Sequence, residues 1–581
     1  MLKILKHLKG MDWVYIAVSV IFVVTQVWLD LEIPDYMKQI TTYVQTPGHT
    51  MGEVWRAGGM MLLCALGSLV SAFAVGFCAA KVSSSFARKL REAVFDRVQS
   101  FSMAEINRFS TASLITRSTN DVTQVKMVVV FGLQVIVKAP IMAGWAIIKI
   151  SGKSWQWSAA TAVAVVLLLA LIACVFIIAV PRFKKIQEYT DDLNRVTREN
   201  LMGVRVVRAY NAEKYQEEKF EAVNDKLTRT HLFTMRTMSA MGPGMTVIMN
   251  GLSLAIYWIG AFLLARTMGG DRVVLFSDMI VFSSYAMQVV MSFMMLTMVC
   301  IMLPRSAVSA RRINEVLDTK PSIVDGAGAT AKTEGEIEFV GVSFRYPDAE
   351  EAILENVSFH AKKGETIAFI GATGSGKSTI INLVPRFYDA TSGQVKVDGV
   401  DVKDYKLNEL REKIGYVSQR AVLFSGSVES NVAFGEETPN ERGVALAVDV
   451  AQGKEFVESM EGKYQADIAQ GGTNVSGGQK QRLSIARAVY KKPEIYIFDD
   501  SFSALDYKTD RDLRAALKRE TGDATCLIVA QRIGTIKDAD CIVVLDEGKV
   551  VGKGTHKQLL ETCAVYREIA LSQLSEEELQ Q

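Results

Sequence analysis

Six long apolar runs dominate the first half of the chain, near residues 13–31, 56–80, 127–150, 157–180, 241–265 and 276–303. A helix that crosses the ~30 Å hydrocarbon core of a bilayer needs about 20 such residues, so the pattern predicts six membrane spans. The first run is the weakest and ends in Asp30, Glu32 and Pro34. Lys81, Arg88, Lys89, Arg91, Arg97, Arg108 and Arg117 lie between the second and third runs. Arg182, Lys184, Lys185, Arg195, Arg198, Arg205 and Arg208 lie between the fourth and fifth. Positive loops stay cytoplasmic, which places both connections and, with six spans, both termini inside.

The two connections, 81–126 and 182–238, keep apolar residues at helical spacing, as in Val82, Phe86, Leu90, Val94 and Val98. Spans two to five are therefore expected to run far into the cytoplasm as helices, with turns at their tips. Residues 107–111 and 209–213, near those tips, are expected to dock on a partner domain. Residues 1–10 mix Lys with Ile and Leu and read as a short basic amphipathic helix on the cytoplasmic surface. A signal peptide fits less well, because no small-residue cleavage site follows.

After Pro304 the pattern changes. A polar helix is expected near 305–318, then a Gly/Ala/Thr-rich linker at 319–335. Residues 336–575 alternate strand-like and helix-like segments, the signature of an α/β domain, and 576–581 form a tail. The fold class is thus an α-helical transmembrane domain over 1–318 followed by an α/β domain.

Composition agrees with two or three domains: 581 residues exceed one compact core, and 49% of them are hydrophobic. A net charge of only +2 gives no compositional case for nucleic acid. The seven cysteines are scattered without a CxxC or Cys/His cluster, which predicts buried free thiols rather than a metal site. Two charges, Lys138 and Asp278, fall inside or beside spans and are candidates for function or for snorkelling to an interface. The sixth run is rich in Met, with Phe282, Tyr285 and Phe293 among them. Such a surface suits varied apolar ligands or ordinary helix packing.

The strongest chemistry lies at Gly371-Ala372-Thr373-Gly374-Ser375-Gly376-Lys377-Ser378-Thr379, which fits G-x-x-x-x-G-K-[ST]. The apolar run 366–370 enters it as a strand and 380–384 leaves it as a helix. Glycines there let backbone N–H groups surround a phosphate at a helix N-terminus. Lys377 would reach the β/γ oxygens and the Ser378 hydroxyl would hold Mg²⁺. Further motifs align around this loop. Tyr346, 25 residues upstream, is placed to stack on adenine, and Gln419 offers a neutral ligand to Mg²⁺ or a water. Val475, Ser476, Gly477, Gly478 and Gln479 form a turn opening a second helix. The apolar strand 495–498 ends in Asp499, a metal ligand through water, and Asp500. Asp506 and Gln531 follow.

This ordered set, with Ser-Gly-Gly-Gln downstream of the phosphate loop, resembles the nucleotide-binding domain of ABC transporters, and with the six spans almost the whole chain resembles an ABC exporter half-transporter. The resemblance implies two such domains joined head to tail. Two ATP molecules are then sandwiched, each between one subunit's phosphate loop and the other's signature turn, and Asp506 contacts the partner. A soluble NTPase lacks the six spans, and an importer subunit does not fuse the membrane part ahead of the ATPase. The sequence departs from the family at two positions. The general base is Glu in the family and Asp500 here. The switch residue is His in the family and Gln531 here.

These two losses resemble the weaker half of bacterial heterodimeric multidrug exporters. They imply a homologous half-transporter as partner, ATP and Mg²⁺ as ligands, and an amphipathic or apolar cargo. The setting implied is the lipid of a bacterial plasma (inner) membrane, with the ATPase domain cytoplasmic. A lipid flippase, a peptide exporter, a competent homodimer and a regulatory ATP-gated protein are the alternatives.

Overall fold

The computed structural model describes residues 3–46, 48–151, 153–267, 271–328 and 334–574. Two compact units emerge. The first comprises Met1–Val98 and Ala112–Thr319, and the second Gln99–Thr111 and Lys320–Gln581.

The first unit is helical. Among the described residues six helices are long and apolar enough to cross a membrane: Gly10–Gln45, Met51–Gln99, Thr111–Ser151, Trp155–Met202, Glu213–Arg266 and Asp271–Thr297. The first does not end at Asp30, as the hydrophobic pattern suggested, but runs through Pro34 to Gln45. Its charges are matched. Lys138 lies 3.4 Å from Asp30, and Lys149 lies 3.1 Å from Glu32 and 2.6 Å from Asp35. Asp278 pairs with Lys38 at 2.8 Å and Lys153 at 2.6 Å, so neither candidate span charge stands alone. The third span contains two π-helical stretches, Arg117–Asp121 and Gly132–Ile136, the second just before Lys138.

Packing explains the rest of this unit. Val27, Leu31, Trp157, Ile256, Phe282 and Tyr285 share one buried core. The polar ends of its aromatics are satisfied: the Trp157 indole donates to the Ile256 carbonyl and the Tyr285 hydroxyl to the Leu31 carbonyl. In the sixth span Met279 is buried while Met291 and Met295 are exposed. The helix expected separately at 305–318 is the end of one 48-residue helix, Asp271–Asp318. Among the described residues of the segment 1–10, a 3₁₀ turn forms at Ile4–His7 in place of a continuous surface helix. Ile4 and Leu8 are both buried, so the two apolar side chains turn inward instead of lining one exposed face. At the second tip Val206 and Tyr210 are exposed within this unit. The cysteines are not uniformly buried: Cys64, Cys78 and Cys563 are, but Cys174 is exposed.

The second unit is α/β. Four strands form an antiparallel sheet in the order β2-β1-β4-β5: β1 Ile337–Phe344, β2 Leu354–Ala361, β4 Ser392–Val397 and β5 Val400–Asp401. A six-stranded sheet has the order β12-β11-β3-β10-β9-β6. Its members are β3 Thr366–Gly371, β6 Ile414–Val417, β9 Ile495–Asp499, β10 Thr525–Val529, β11 Cys541–Asp546 and β12 Lys549–Gly554. All neighbours in it are parallel except the edge strand β12, and a separate antiparallel pair joins β7 Gly426–Ser427 to β8 Asp467–Ile468. Its central strands are apolar on both faces, as a parallel sheet covered on both sides requires.

Two shorter segments complete this unit. Residues 320–328 are bound to it: Gly326 N–H donates to the Tyr405 carbonyl at 2.9 Å and Arg386 donates to the Val324 carbonyl at 3.0 Å. A Cβ at Gly326 would meet the Asp404 carbonyl at 2.4 Å, which is why glycine stands there. The remainder of the sequence-assigned linker includes 329–333, outside the described residues. The short helix Met103–Phe109 is capped by Ser102, and Asn107 donates to the Tyr388 hydroxyl at 3.1 Å.

Candidate functional site

Parallel strands deliver their C-terminal ends to one edge of the sheet, where open α/β folds place ligands. Here β3 ends in the phosphate loop, β9 ends at Asp499, and Gln531 lies two residues past β10. Gln419 lies two residues past β6. Val529 of β10 is in register with Phe369 of β3 and with Asp499 of β9, so these loops leave the sheet at one level.

The glycines of the loop do different work. A Cβ at Gly371 would meet the Leu545 carbonyl oxygen at 2.1 Å, and one at Gly376 (φ +93°) the Leu354 Cδ2 at 2.6 Å. These two close the loop against its neighbours. Gly374 (φ +87°) has nothing within 4 Å, so its backbone faces open space. The helix Lys377–Leu383 begins directly after, and its first N–H groups lack intrahelical partners. Thr373 is exposed and Ser375 buried. The Lys377 ammonium donates to the Gly371 and Ala372 carbonyls at 2.9 and 2.7 Å, and burial holds its pKa below the usual lysine value.

Ser378 Oγ donates to Asp499 Oδ1 at 2.8 Å. Asp499 is only 6% exposed, and burial pushes its carboxyl above the usual range. A hydroxyl beside a desolvated carboxylate is the oxygen pair that a hard divalent cation takes, so the residues present fit Mg²⁺. Asp500 sits in the left-handed region (φ 47°), and burial raises its carboxyl too. Its Oδ2 accepts from Gln531 Nε2 at 2.8 Å and Gln419 Nε2 at 3.3 Å. Gln419 thus turns its amide nitrogen to Asp500, leaving its carbonyl oxygen for a cation or water.

Tyr346 packs edge-on against Phe344 and Tyr388, with ring centroids 4.8 and 5.2 Å apart. Its hydroxyl shares a 3.1 Å hydrogen bond with Thr379 Oγ1, so the Thr379 hydroxyl is engaged with Tyr346. The signature turn opens the helix Gly477–Lys491 through a capping box. In it Ser476 Oγ accepts from Gln479 N–H, and Gln479 Oε1 accepts from Ser476 N–H at 2.8 Å. Val475 is partly buried behind it, Gly477 borders open space, and Gly478 has the Ala504 carbonyl 3.4 Å from an added Cβ. Among the described residues no hydrogen bond joins 475–479 to 371–379, which lie on separate elements. Asp506 caps the helix Tyr507–Glu520, and its bonds to Thr509 hold its carboxyl below the usual range.

Two neighbours of the site escaped the sequence reading. Tyr388 has no motif of its own and meets Tyr346 only through folding. Gln573 contacts the loop after β10 from the far end of the chain. A cleft of about 580 Å³ lies at the opposite, N-terminal ends of β9 and β10. Two pairs of lining charges are matched within it, Lys363–Glu334 and Arg519–Glu520.

Comparison with known proteins now places the chain. Residues 354–503 match the ABC transporter family model, and residues 16–293 match the ABC transporter transmembrane region. An uncharacterized ABC transporter ATP-binding protein of Mycobacterium tuberculosis is 39% identical over 89% of this chain and 87% of its own length. An ATP-dependent lipid A-core flippase of Pseudomonas aeruginosa is 31% identical over 89% of this chain and 85% of its own. A solved bacterial Atm1-family ABC exporter with ATP bound matches the fold with a TM-score of 0.80 over 97% of this chain and 98% of its own, at 23% identity. Six spans, a phosphate loop and a signature turn in one chain therefore identify a member of the ABC transporters: an integral membrane half-transporter of exporter fold, with an ATPase coupled to transport.

Proposed function

We propose that this chain is one subunit of a heterodimeric exporter and that its own ATP site hydrolyses slowly. The observation that carries the reading is the state of Asp500. A general base must present a lone pair to water. Oδ2 of Asp500 already accepts two amide N–H groups, from Gln531 and Gln419, so these amides fix which way the carboxylate faces and leave Oδ1 as its oxygen for water. The side chain is also one methylene shorter than Glu, roughly 1.5 Å of reach. Misplacing a catalytic group by about 1 Å can cost on the order of 100-fold. Gln531 can hold the carboxylate but cannot take up a proton as imidazole does.

In this reading Gly371 to Thr379 and Tyr346 hold ATP, and Ser378, Asp499 and Gln419 hold Mg²⁺. ATP supplies the free energy of phosphoryl transfer. The turn Val475 to Gln479 completes the competent site of a homologous partner, with Asp506 at their contact. The cargo is amphipathic or apolar, and exposed Met291 and Met295 on the sixth span support a tolerant apolar surface. A lipid cargo is the second reading, favoured by relatives named lipid A-core flippases that are 30–32% identical over 89% of the chain. Basic segments beyond the spans support a bacterial plasma membrane with the ATPase domain and both termini cytoplasmic.

The test is ATP turnover by this chain alone in liposomes, beside Asp500→Glu/Gln531→His and Lys377→Ala. Wild-type turnover on the order of 0.1 s⁻¹, rising at least about tenfold in the double variant, supports the reading. Wild-type turnover near the enzyme-typical value of about 10 s⁻¹, abolished by Lys377→Ala, means a competent homodimer.

A further inference from the structure

Gln531 is itself held in place. The Gln573 side-chain amide donates from Nε2 to the Gln531 carbonyl at 2.7 Å and accepts at Oε1 from the Ile533 N–H at 2.9 Å. One planar amide thus bridges two backbone groups two residues apart, on the turn between β10 and the helix Ile533–Ile536. Both ends of the bridge are needed to fix the turn, since each bond alone leaves a rotation free. On the other flank Arg532 donates to the Ser503 carbonyl at 3.2 Å, and Ser503 Oγ donates to the Asp500 carbonyl at 2.9 Å.

The C-terminal helix Ala564–Leu571 presents this amide. Tyr566 and Ala570 are fully buried in one cluster with Ala530, Ile533 and Ile536, and Leu574 packs on it. The Gln573 and Leu574 N–H groups both donate to the Ala570 carbonyl. Positions 566, 570 and 573 therefore follow one helical stripe, and the polar residue at its end falls over the turn.

We infer that Gln573 is a positioning residue for ATP hydrolysis: it fixes the backbone that aims the residue-531 side chain at position 500. The path runs from Gln573 through the backbone of 531 and 533 to Gln531 Nε2 and so to Asp500 Oδ2. Because the bridge grips backbone, it serves whichever side chain stands at 531. The inference rests on the proposed function only for the choice of assay background. Gln573 is exposed, so water competes for both bonds and removal weakens the site rather than abolishing it.

The experiment uses the full chain in liposomes carrying Asp500→Glu/Gln531→His, with Gln573→Ala or Gln573→Glu added. Glu keeps the acceptor for Ile533 N–H and loses the donor. We expect Gln573→Ala to lower kcat roughly 3–10-fold with KM for ATP unchanged within about 2-fold, and Gln573→Glu to fall between. Hydrogen exchange of a peptide spanning 527–536 in the otherwise wild-type chain should speed up several-fold in Gln573→Ala and less in Gln573→Glu. Unchanged exchange overturns the bridge. Faster exchange with kcat within 2-fold of the parent, or a loss carried by KM instead, overturns the positioning role. Should the double variant gain no turnover, the slow-site reading fails, and the same comparison in the wild-type chain decides this one.

Discussion

Breaking the Asp30–Lys138 pair tests how the membrane unit tolerates charge. At 1.5 Å per residue, Asp30 lies roughly 27 Å further along its helix than Asp12, within a span-length apolar helix. An uncompensated charge at the centre of a span costs about 2.5–3.5 kcal/mol on insertion scales. Two features lower that figure here. The pair is 3.4 Å apart, against 2.6 Å for Lys149–Asp35, and the two side chains keep 18% and 24% of their exposure. Asp30→Asn should therefore destabilise the protein by about 1–2 kcal/mol, since it strands Lys138 while keeping a partner for Ser68, whose hydroxyl donates to Asp30.

The neutral pair Asp30→Asn/Lys138→Met should recover most of that loss, because no charge then remains to be matched. Thermal midpoints in detergent, read by size-exclusion chromatography after heating, give the four corners of the cycle. The single variants should melt about 2–5 °C lower and the double within about 1 °C of wild type. An Asp30→Asn protein as stable as wild type, or a double variant as weak as the worse single, would refute the electrostatic account.

Two further outcomes follow from the ATPase unit. Burial raises the Asp500 carboxyl, so the folded state binds its proton more readily than the unfolded state does. Its charge then costs stability above that raised pKa, and the cost vanishes below the ordinary carboxylate range. Asp500→Asn should raise the melting temperature by about 1–3 °C at pH 7.5, with the gain fading as pH falls toward 4; a gain that grows on acidification contradicts the sign. Gly376→Ala forces a Cβ to 2.6 Å from Leu354 Cδ2 at φ +93°, whereas Gly374→Ala meets only the backbone strain. A strained position costs about 1–3 kcal/mol, so Gly376→Ala should weaken binding of a fluorescent ATP analogue at least about tenfold and more than Gly374→Ala does.

Much of this protein is determined by local chemistry that a sequence displays. Apolar runs of membrane length need no partner to be recognised, because lipid demands that every backbone group be satisfied within the helix. The phosphate loop is equally legible, since glycine accepts φ near +90° at 374 and 376, and at 376 a neighbour also stands too close for any Cβ. Asp500 and Gln531 stand out because each follows an apolar strand.

Tertiary structure decided the rest. The first helix continues past Asp30 because Lys138 and Lys149, more than a hundred residues away, supply the opposite charge. Thr379 directly follows the eight-residue phosphate-loop pattern, and its hydroxyl bonds to Tyr346. The contact between Gln531 and Asp500 depends on β9 and β10 lying side by side in register, which spacing along the chain does not encode. Gln573 is the extreme case. One polar residue past the end of a helix carries no local signal, and only the stripe formed by Tyr566 and Ala570, packed on Ile533 and Ile536, brings it to the turn it holds. Local pattern determines what each segment is, while burial and pairing across the chain decide which side chains meet.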